Sequence, residues 1–494
     1  MLNDLRRMAI PLYFKTNSPV KQQLDSYNRF IESRAQEIID RFDTIETSVP
    51  GFKLKLGKIR FEKPSIIEAN GVERKILPWE ARIRNLTYKA PIFLEMAPIH
   101  DDVQEDFTEV FIGELPVMIR SKLCHLYDLA EEELLKANED PYDPGGYFII
   151  NGTERVLIAL EDLVGNRILT TKEGKEGNII SKVFSTRYTF RARCAVIRTK
   201  DGRLFVEFPS SVGDVRLTWV LRYFGLETNE QILGAFTDNP LIRNDLLYNL
   251  EEDGTETADE ALEEISKRVA PGQPKEYRLQ RTVGLLDNYL LPHLGIDESV
   301  RKIKATFLVK MAERAILAHY GKIPKDDKDH YMNKRVKLSG ELMEELFNAA
   351  FQAFVKDVAY QATRAAARGR RLIPHILVRP EAFNEKIDYS MATGNWVAKQ
   401  TGVSQVLDRT SFLSSMSQLR RVVSPLSKKH PHFEARDLHG THFGRICAGE
   451  TPEGPNCSLV KNLALFAQVT TGYLPEEEKN LMEALKSLGL EVIE

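Results

Sequence analysis

Residues Ser404–Leu463 read SQVLDRTSFLSSMSQLRRVVSPLSKKHPHFEARDLHGTHFGRICAGETPEGPNCSLVKNL. The stretch holds two adjacent arginines (Arg420, Arg421), a Ser424-Pro425 step, two adjacent lysines (Lys428, Lys429), four histidines (His430, His432, His439, His442) and a Thr451-Pro-Glu-Gly454 turn. It has few long apolar runs, so core packing is not its main task. Irregular backbone carried on a larger body is where binding and catalytic groups collect. From Ser404 to Lys461, eight Lys/Arg stand against five Asp/Glu, a local +3 in a chain of formal net charge −3. The planar arginine fork matches phosphate oxygens two at a time. On charge alone the cluster reads either as a phosphate-contacting surface or as a solvated basic loop.

The whole chain limits the partners. At 494 residues it has room for roughly three domains of about 150 residues each. Hydrophobic residues at 43% and charged residues at 28% are ordinary for globular proteins and supply several cores. Lys+Arg 68 against Asp+Glu 71 excludes a uniformly basic coat protein, so any nucleic-acid contact must come from local surface. Cys124, Cys194, Cys447 and Cys457 are scattered, with no Cys-x-x-Cys pair, and read as reduced structural thiols. The N-terminal MLNDLRRMAIPLYF lacks the apolar region of a signal peptide. No run approaches the roughly 20 apolar residues of a membrane span. A cytoplasmic chain without membrane contact is expected.

Working outward toward the N-terminus, Val20–Arg41 sets Leu24, Tyr27, Phe30 and Ile31, then Ile38 and Ile39, at helical spacing and predicts an amphipathic helix. Between Gly51 and Leu123, KLKLGKIRFEKP and RIRNLTYKAPIFLEM alternate apolar with charged residues, as half-buried strands do. A short helix ending near Ala137 follows. Asp143-Pro-Gly-Gly146 predicts a turn, Tyr147–Ile150 a buried strand and Asn151-Gly152 a two-residue hairpin turn. Arg155–Pro209 predicts more strands, with a hairpin at Asp201-Gly202. Leu217–Val269 predicts helices broken at Pro271-Gly-Gln-Pro274, with a domain boundary between Gln280 and Leu294. Val300–Ala318 and Leu338–Ala367 are the strongest helical patterns, and Pro475–Glu494 reads as an acidic helix or tail. The expected fold class is α+β, multidomain.

Other motifs carry less. The chain has no G-x-x-x-x-G-K-[ST], no G-x-G-x-x-G after a strand and no H-E-x-x-H. Lys172–Gly177 (KEGKEG) reads as a hairpin tip. Lys325–Tyr331 (KDDKDHY) reads as a charged loop capping the next helix, because adjacent carboxylates without an enforced turn do not converge on one ion. Arg364, Arg368, Arg370 and Arg371 either track phosphates or complement a helix C-terminus. The histidine cluster lacks ordered cysteine partners and reads as structural or phosphate-contacting, not as a zinc site.

The run from Gly402 to Leu463, above all GVSQVLDRTSFLSSMSQLRR, ARDLHGTHFGRIC and ETPEGPNCSLVKNL (Glu450–Leu463), resembles the fork region of the second-largest subunit of multisubunit DNA-directed RNA polymerases. VKQQLDSYNRF (Val20–Phe30), GELPVMIRSKLC (Gly113–Cys124), GGYFIINGTERVLI (Gly145–Ile158), DDKDHYMNKRVKLSGELMEELF (Asp326–Phe347) and Ala392–Trp396 follow in the family's order. The details resemble the archaeal branch. The resemblance implies protrusion, lobe and fork modules: residues 1–160 as the first part of the protrusion, 161–294 as lobe, 295–350 as the second part of the protrusion, 351–465 as fork and 466–494 as a tail or junction. The family's subunit would continue for several hundred residues past Leu463. The chain therefore resembles the N-terminal half of the split form, in which the subunit is made as two polypeptides.

The implied roles follow residue by residue. The chain would form one wall of the DNA cleft and guide downstream DNA and the RNA–DNA hybrid. Met391–Trp396 matches the first fork loop, with Thr393, Gly394, Asn395 and Trp396 near the hybrid. Ser424–Phe433 (SPLSKKHPHF) matches the second, where downstream duplex separates. A basic, proline-stiffened loop there meets phosphates without reading sequence. Arg420 and Arg421 would face nucleic acid or brace that loop. Arg436 and Arg445 would be phosphate contacts or ion-pair partners. Glu453 would sit near the active centre in a supporting role. No catalytic residue and no metal is expected in this chain, since no NADFDGD-like string exists in it. Mg2+ would be held by the largest subunit of the assembled enzyme. Expected partners are the complementary C-terminal half, the largest subunit and other polymerase subunits, the DNA template and the RNA–DNA hybrid.

Overall fold

The computed structural model describes residues 7–8, 12–14, 17–68, 70–173, 177–188, 190–209, 211, 213–397, 400–472 and 475–490. The chain divides into two compact units, Met1–Asp162 with Val336–Glu494, and Leu163–Arg335.

In the first unit the predicted N-terminal helix forms as Lys21–Arg29 and Ala35–Phe42, joined by a π-helical turn at Phe30–Arg34. Tyr27, Phe30, Ala35, Ile38 and Ile39 turn to the core. The 29-residue helix Ser339–Ala367 packs across it. Its first residue follows Leu338, which offers no capping oxygen, so its orphan N–H groups take partners from the other helix. Gln23 Oε1 accepts the Ser339 N–H and Ser26 Oγ accepts the Gly340 N–H, both at 3.0 Å. The approach is close enough that a Cβ on Gly340 would lie 2.0 Å from the Ser26 carbonyl oxygen. Phe347, Phe351, Phe354 and Phe383 build an aromatic core with Phe30, in which Phe30–Phe347 and Phe347–Phe383 meet edge to face at 5.7 and 5.2 Å between ring centres.

That core lies against an antiparallel sheet. Phe52–Phe61 and Thr108–Pro116 flank Lys89–His100, whose inward residues alternate as far as Met96. The RIRNLTY part of the predicted strand departs from expectation: Pro78–Ile83 is a short helix with proline in its first turn, and the strand begins at Lys89. The Phe148–Ile150 and Thr153–Leu157 hairpin forms as read, with Asn151 and Gly152 at φ 49° and 75°, the positive values a tight primed turn requires.

The second unit is a meander of Ile168–Glu173, Asn178–Arg187, Phe190–Arg198, Leu204–Glu207 and Val215–Arg216, followed by helices from Leu217–Tyr223 to Arg301–His319. Glu173 and Asn178 pair across the expected hairpin, whose tip at 174–176 lies outside the described residues. Two sequence boundaries differ from the compact units. Lys275–Tyr289 runs into the boundary expected between Gln280 and Leu294, and Leu286 and Leu290 share one core with Val183 and Val196. Arg301–His319 buries Ala305, Leu308, Ala312 and Ile316 in that same core, so residues 295–335 belong here and not with the segment that follows. The 350/351 boundary would cut the helix Ser339–Ala367. Burial on a shared sheet, which leaves no mark in composition, decides these limits. No helix among the described residues is long and apolar enough to cross a membrane.

Candidate nucleic-acid interface

The basic run hangs on a small sheet. Arg421–Val423 pairs parallel with Ala159–Leu163 and antiparallel with Val460–Asn462. Beneath it Lys461 Nζ meets Glu161 Oε2 at 2.8 Å, both side chains about 5% exposed. A charge buried this deeply stays ionised only beside its counter-charge, so Lys461 is a structural tie and not a phosphate contact.

The other cations sort by what their nitrogens touch. Arg409 bonds Glu154 at 2.7 Å and Asp143 at 2.8 Å, with its guanidinium 5.0 Å above the Tyr147 ring. Burial works against its charge, but the bonds to Glu154 and the nearby acidic groups hold its pKa above the ordinary value. Arg420 donates to the carbonyls of Pro19 (2.6 Å), Ala464 (2.7 Å) and Leu465 (3.3 Å), and burial lowers its pKa. Arg436 donates to the carbonyls of Pro431 (2.8 Å) and Cys457 (2.7 Å). The geometry thus makes Arg420 and Arg436 braces. Arg445 is exposed, with one 3.2 Å bond to the Thr441 carbonyl. Arg421 is half-buried, its Nε enclosed without a hydrogen-bond partner. It also helps the Thr410 hydrogen bonds to hold Asp408 below the usual carboxylate range. Lys428 and Lys429 are exposed and pair with no carboxylate among the described residues. The local +3 is therefore an overcount, because Asp143, Glu154 and Glu161 reach in from earlier strands.

The predicted first loop splits in two. Gly394 ends the helix Glu381–Thr393 at φ 78°, and a Cβ there would lie 2.5 Å from the Ser404 carbonyl oxygen. Trp396 is buried and donates from Nε1 to the Leu342 carbonyl at 3.0 Å. Thr393 and Asn395 face solvent. Glu453 is exposed at the start of the 3-10 turn Gly454–Asn456 and bonds no described residue. His442 is buried, while His439 Nδ1 lies 2.7 Å from Thr441 Oγ1. Among the described residues no group of three or more His, Cys, Asp or Glu could hold a metal ion. In the Lys325–Tyr331 loop, Asp326 is taken up by the Thr170 N–H and by Arg314, both at 2.8 Å. Arg364, Arg368, Arg370 and Arg371 are exposed around the end of their helix.

Sequence reasoning missed the buried Lys461–Glu161 tie, whose partners lie 300 residues apart. It also missed Phe433, the exposed aromatic beside the lysine pair; its place in a run otherwise polar was the available signal.

A helix-and-sheet body thus carries a basic loop stapled at Ser424 and Arg436. The chain belongs to the RNA polymerase beta subunit family: that family's model matches residues 18–385, and the model described as RNA polymerase Rpb2, domain 3, matches residues 405–469. It is 50% identical to the DNA-directed RNA polymerase subunit Rpo2N of Methanocaldococcus jannaschii, over 99% of both chains. It is 48% identical to that of Methanococcus vannielii, over 98% of this chain and 99% of the relative. The subunit Rpo2 of Saccharolobus shibatae is 44% identical over 99% of this chain, which spans 44% of that relative's length. The chain is accordingly a second-largest-type subunit of an RNA polymerase, and part of that enzyme.

Proposed function

We propose that this chain is the N-terminal half of a split second-largest subunit, the part called B double-prime in archaeal polymerases. In this reading it forms one wall of the DNA cleft and presents Ser424–Phe433 where downstream duplex separates. The observation that carries the reading is the lysine pair: Lys428 and Lys429 lie exposed on a loop whose base is stapled at Ser424 and Arg436, paired with no carboxylate among the described residues. Phosphates are the counter-charge such a pair accepts without regard to sequence. Arg421 and Arg445 flank it, while Arg420 and Arg436 hold its frame. Thr393 and Asn395 are the members of the first loop that face the hybrid. Glu453, bonded to no described residue, sits near the active centre and positions neighbouring arginines.

The reaction served is attack of an RNA 3′-hydroxyl on the α-phosphate of an incoming nucleoside triphosphate. The donor set here does not suit magnesium, so no step is assigned to a metal held by this chain. The Mg2+ chemistry belongs to the largest subunit, and the complementary C-terminal polypeptide completes this one. The setting is the cytoplasm. The test is purification of the tagged chain with its polymerase, carrying a photo-crosslinking residue at position 427. Crosslinks to DNA at the downstream edge are expected. Co-purification without any DNA crosslink would overturn the assignment of the loop, and failure to co-purify would overturn the assignment to the complex.

A further inference from the structure

The loop bearing the lysine pair is fastened at both ends to one short piece of backbone. The Ser424 N–H bonds the Leu459 carbonyl at 2.8 Å, and Arg436 Nη1 bonds the Cys457 carbonyl at 2.7 Å. Arg436 Nε also closes onto the Pro431 carbonyl, and the Asp437 N–H bonds the Phe433 carbonyl at 3.1 Å. Within this rigid frame His432 takes the left-handed conformation at φ 42°. That conformation is strained for a non-glycine residue. His432 is half-buried with its Nε2 enclosed, and the next side chain faces solvent. That side chain is Phe433, 77% exposed. An apolar ring kept in water by a strained, braced backbone has a use for its face.

We propose that Phe433 is a stacking platform for an unpaired nucleobase, with Lys428 and Lys429 taking the adjoining backbone phosphates. The inference rests on the reading of Ser424–Phe433 as the loop at the point of strand separation, and it adds a ligand that reading does not contain. Cations four and five residues away supply the phosphate half of the contact, and the ring supplies a face that any base can cover. Phe433 then holds a base once it has left the duplex, which opposes re-pairing by a contact that salt does not screen. Between Ser424 and Arg436 the other exposed large apolar group, Leu426, lacks a π face.

The experiment uses the assembled polymerase carrying this chain as wild type, Phe433→Ala, Phe433→Leu or Phe433→Trp. Forked DNA carries 2-aminopurine as the first unpaired base, in one arm on the template strand and in the other on the non-template strand. Stacking quenches the probe, and the arm that quenches names the strand. Wild type and Phe433→Trp are expected to quench. Phe433→Ala and Phe433→Leu should lose the quench and bind forked DNA about tenfold to a hundredfold more weakly, with an unchanged salt slope. Equal quenching by wild type and Phe433→Ala overturns the proposal. Full retention by Phe433→Leu also overturns it, because that result marks an apolar protein contact. A Lys428→Ala/Lys429→Ala enzyme separates the two levels. A reduced salt slope there, with no Phe433 effect, removes the stacking and keeps the loop's role; no change in either removes both.

Discussion

Arg420 gives the sharpest test of how the basic run divides between holding the protein together and touching nucleic acid. Its guanidinium makes bonds of 2.6, 2.7 and 3.3 Å to three backbone carbonyls, from Pro19 and from Ala464–Leu465. Replacing it with methionine keeps the stem and removes all three donors. Hydrogen bonds from a charged donor contribute about 1.5–3 kcal/mol each when well formed. The third bond is long and the group only half-buried, so the two short bonds dominate and the net loss is about 3 kcal/mol. Arg420→Lys keeps the charge but cannot reach three carbonyls at once, and about half of that loss is expected. The opening affected is local: the Leu463 N–H bonds the Arg420 carbonyl, and the Ala467 N–H bonds that of Ala464. Hydrogen exchange at these amides should accelerate about a hundredfold in Arg420→Met and about tenfold in Arg420→Lys. Salt dependence of DNA binding by the assembled enzyme should not change. Exchange within about threefold of wild type, together with a salt slope reduced by about 0.9, the value for one lost phosphate contact, would make Arg420 a DNA ligand and refute the brace.

Three further outcomes are expected. Alanine at both Lys428 and Lys429 should weaken DNA binding evenly across sequences and lower the salt slope by about 0.9 per lost contact, read by titrations at several salt concentrations. Gly340→Ala should destabilise the first unit by several kcal/mol, because a Cβ would meet the Ser26 backbone at 2.0 Å; Gly234→Ala, with open space around it on the helix Asn229–Ala235, should stabilise by about 1 kcal/mol, and thermal unfolding compares the two. Lys304 is fully buried, and desolvation pulls its pKa down to about 8 against the opposing charge of Asp287. The folded unit therefore binds fewer protons than the unfolded chain between pH 8 and the ordinary lysine range, and stability should rise with pH across that window. Lys304→Met should remove that share of the slope in denaturant titrations at a series of pH values.

Local patterns were legible wherever short-range chemistry suffices. The Asn151-Gly152 hairpin, the Asp201-Gly202 turn and the helices Arg301–His319 and Ser339–Ala367 formed where spacing placed them, because turn conformation and apolar periodicity are properties of neighbouring residues. The Lys-Lys pair was likewise visible in a polar, punctuated run, while Thr393 and Asn395 were singled out only by the family resemblance. What each cation does was not visible. Arg409 and Lys461 look no different in sequence from Lys428, yet their carboxylates arrive from residues 143, 154 and 161.

By itself the sequence determined the family and the α+β content, since these depend on residue identity and near-neighbour pattern. Only the tertiary structure decided which residues form one compact unit, that Trp396 and Gly394 serve packing, and which positive charges remain for a partner. Those outcomes depend on long-range contacts, where a carbonyl or carboxylate hundreds of residues away claims a guanidinium before any ligand can.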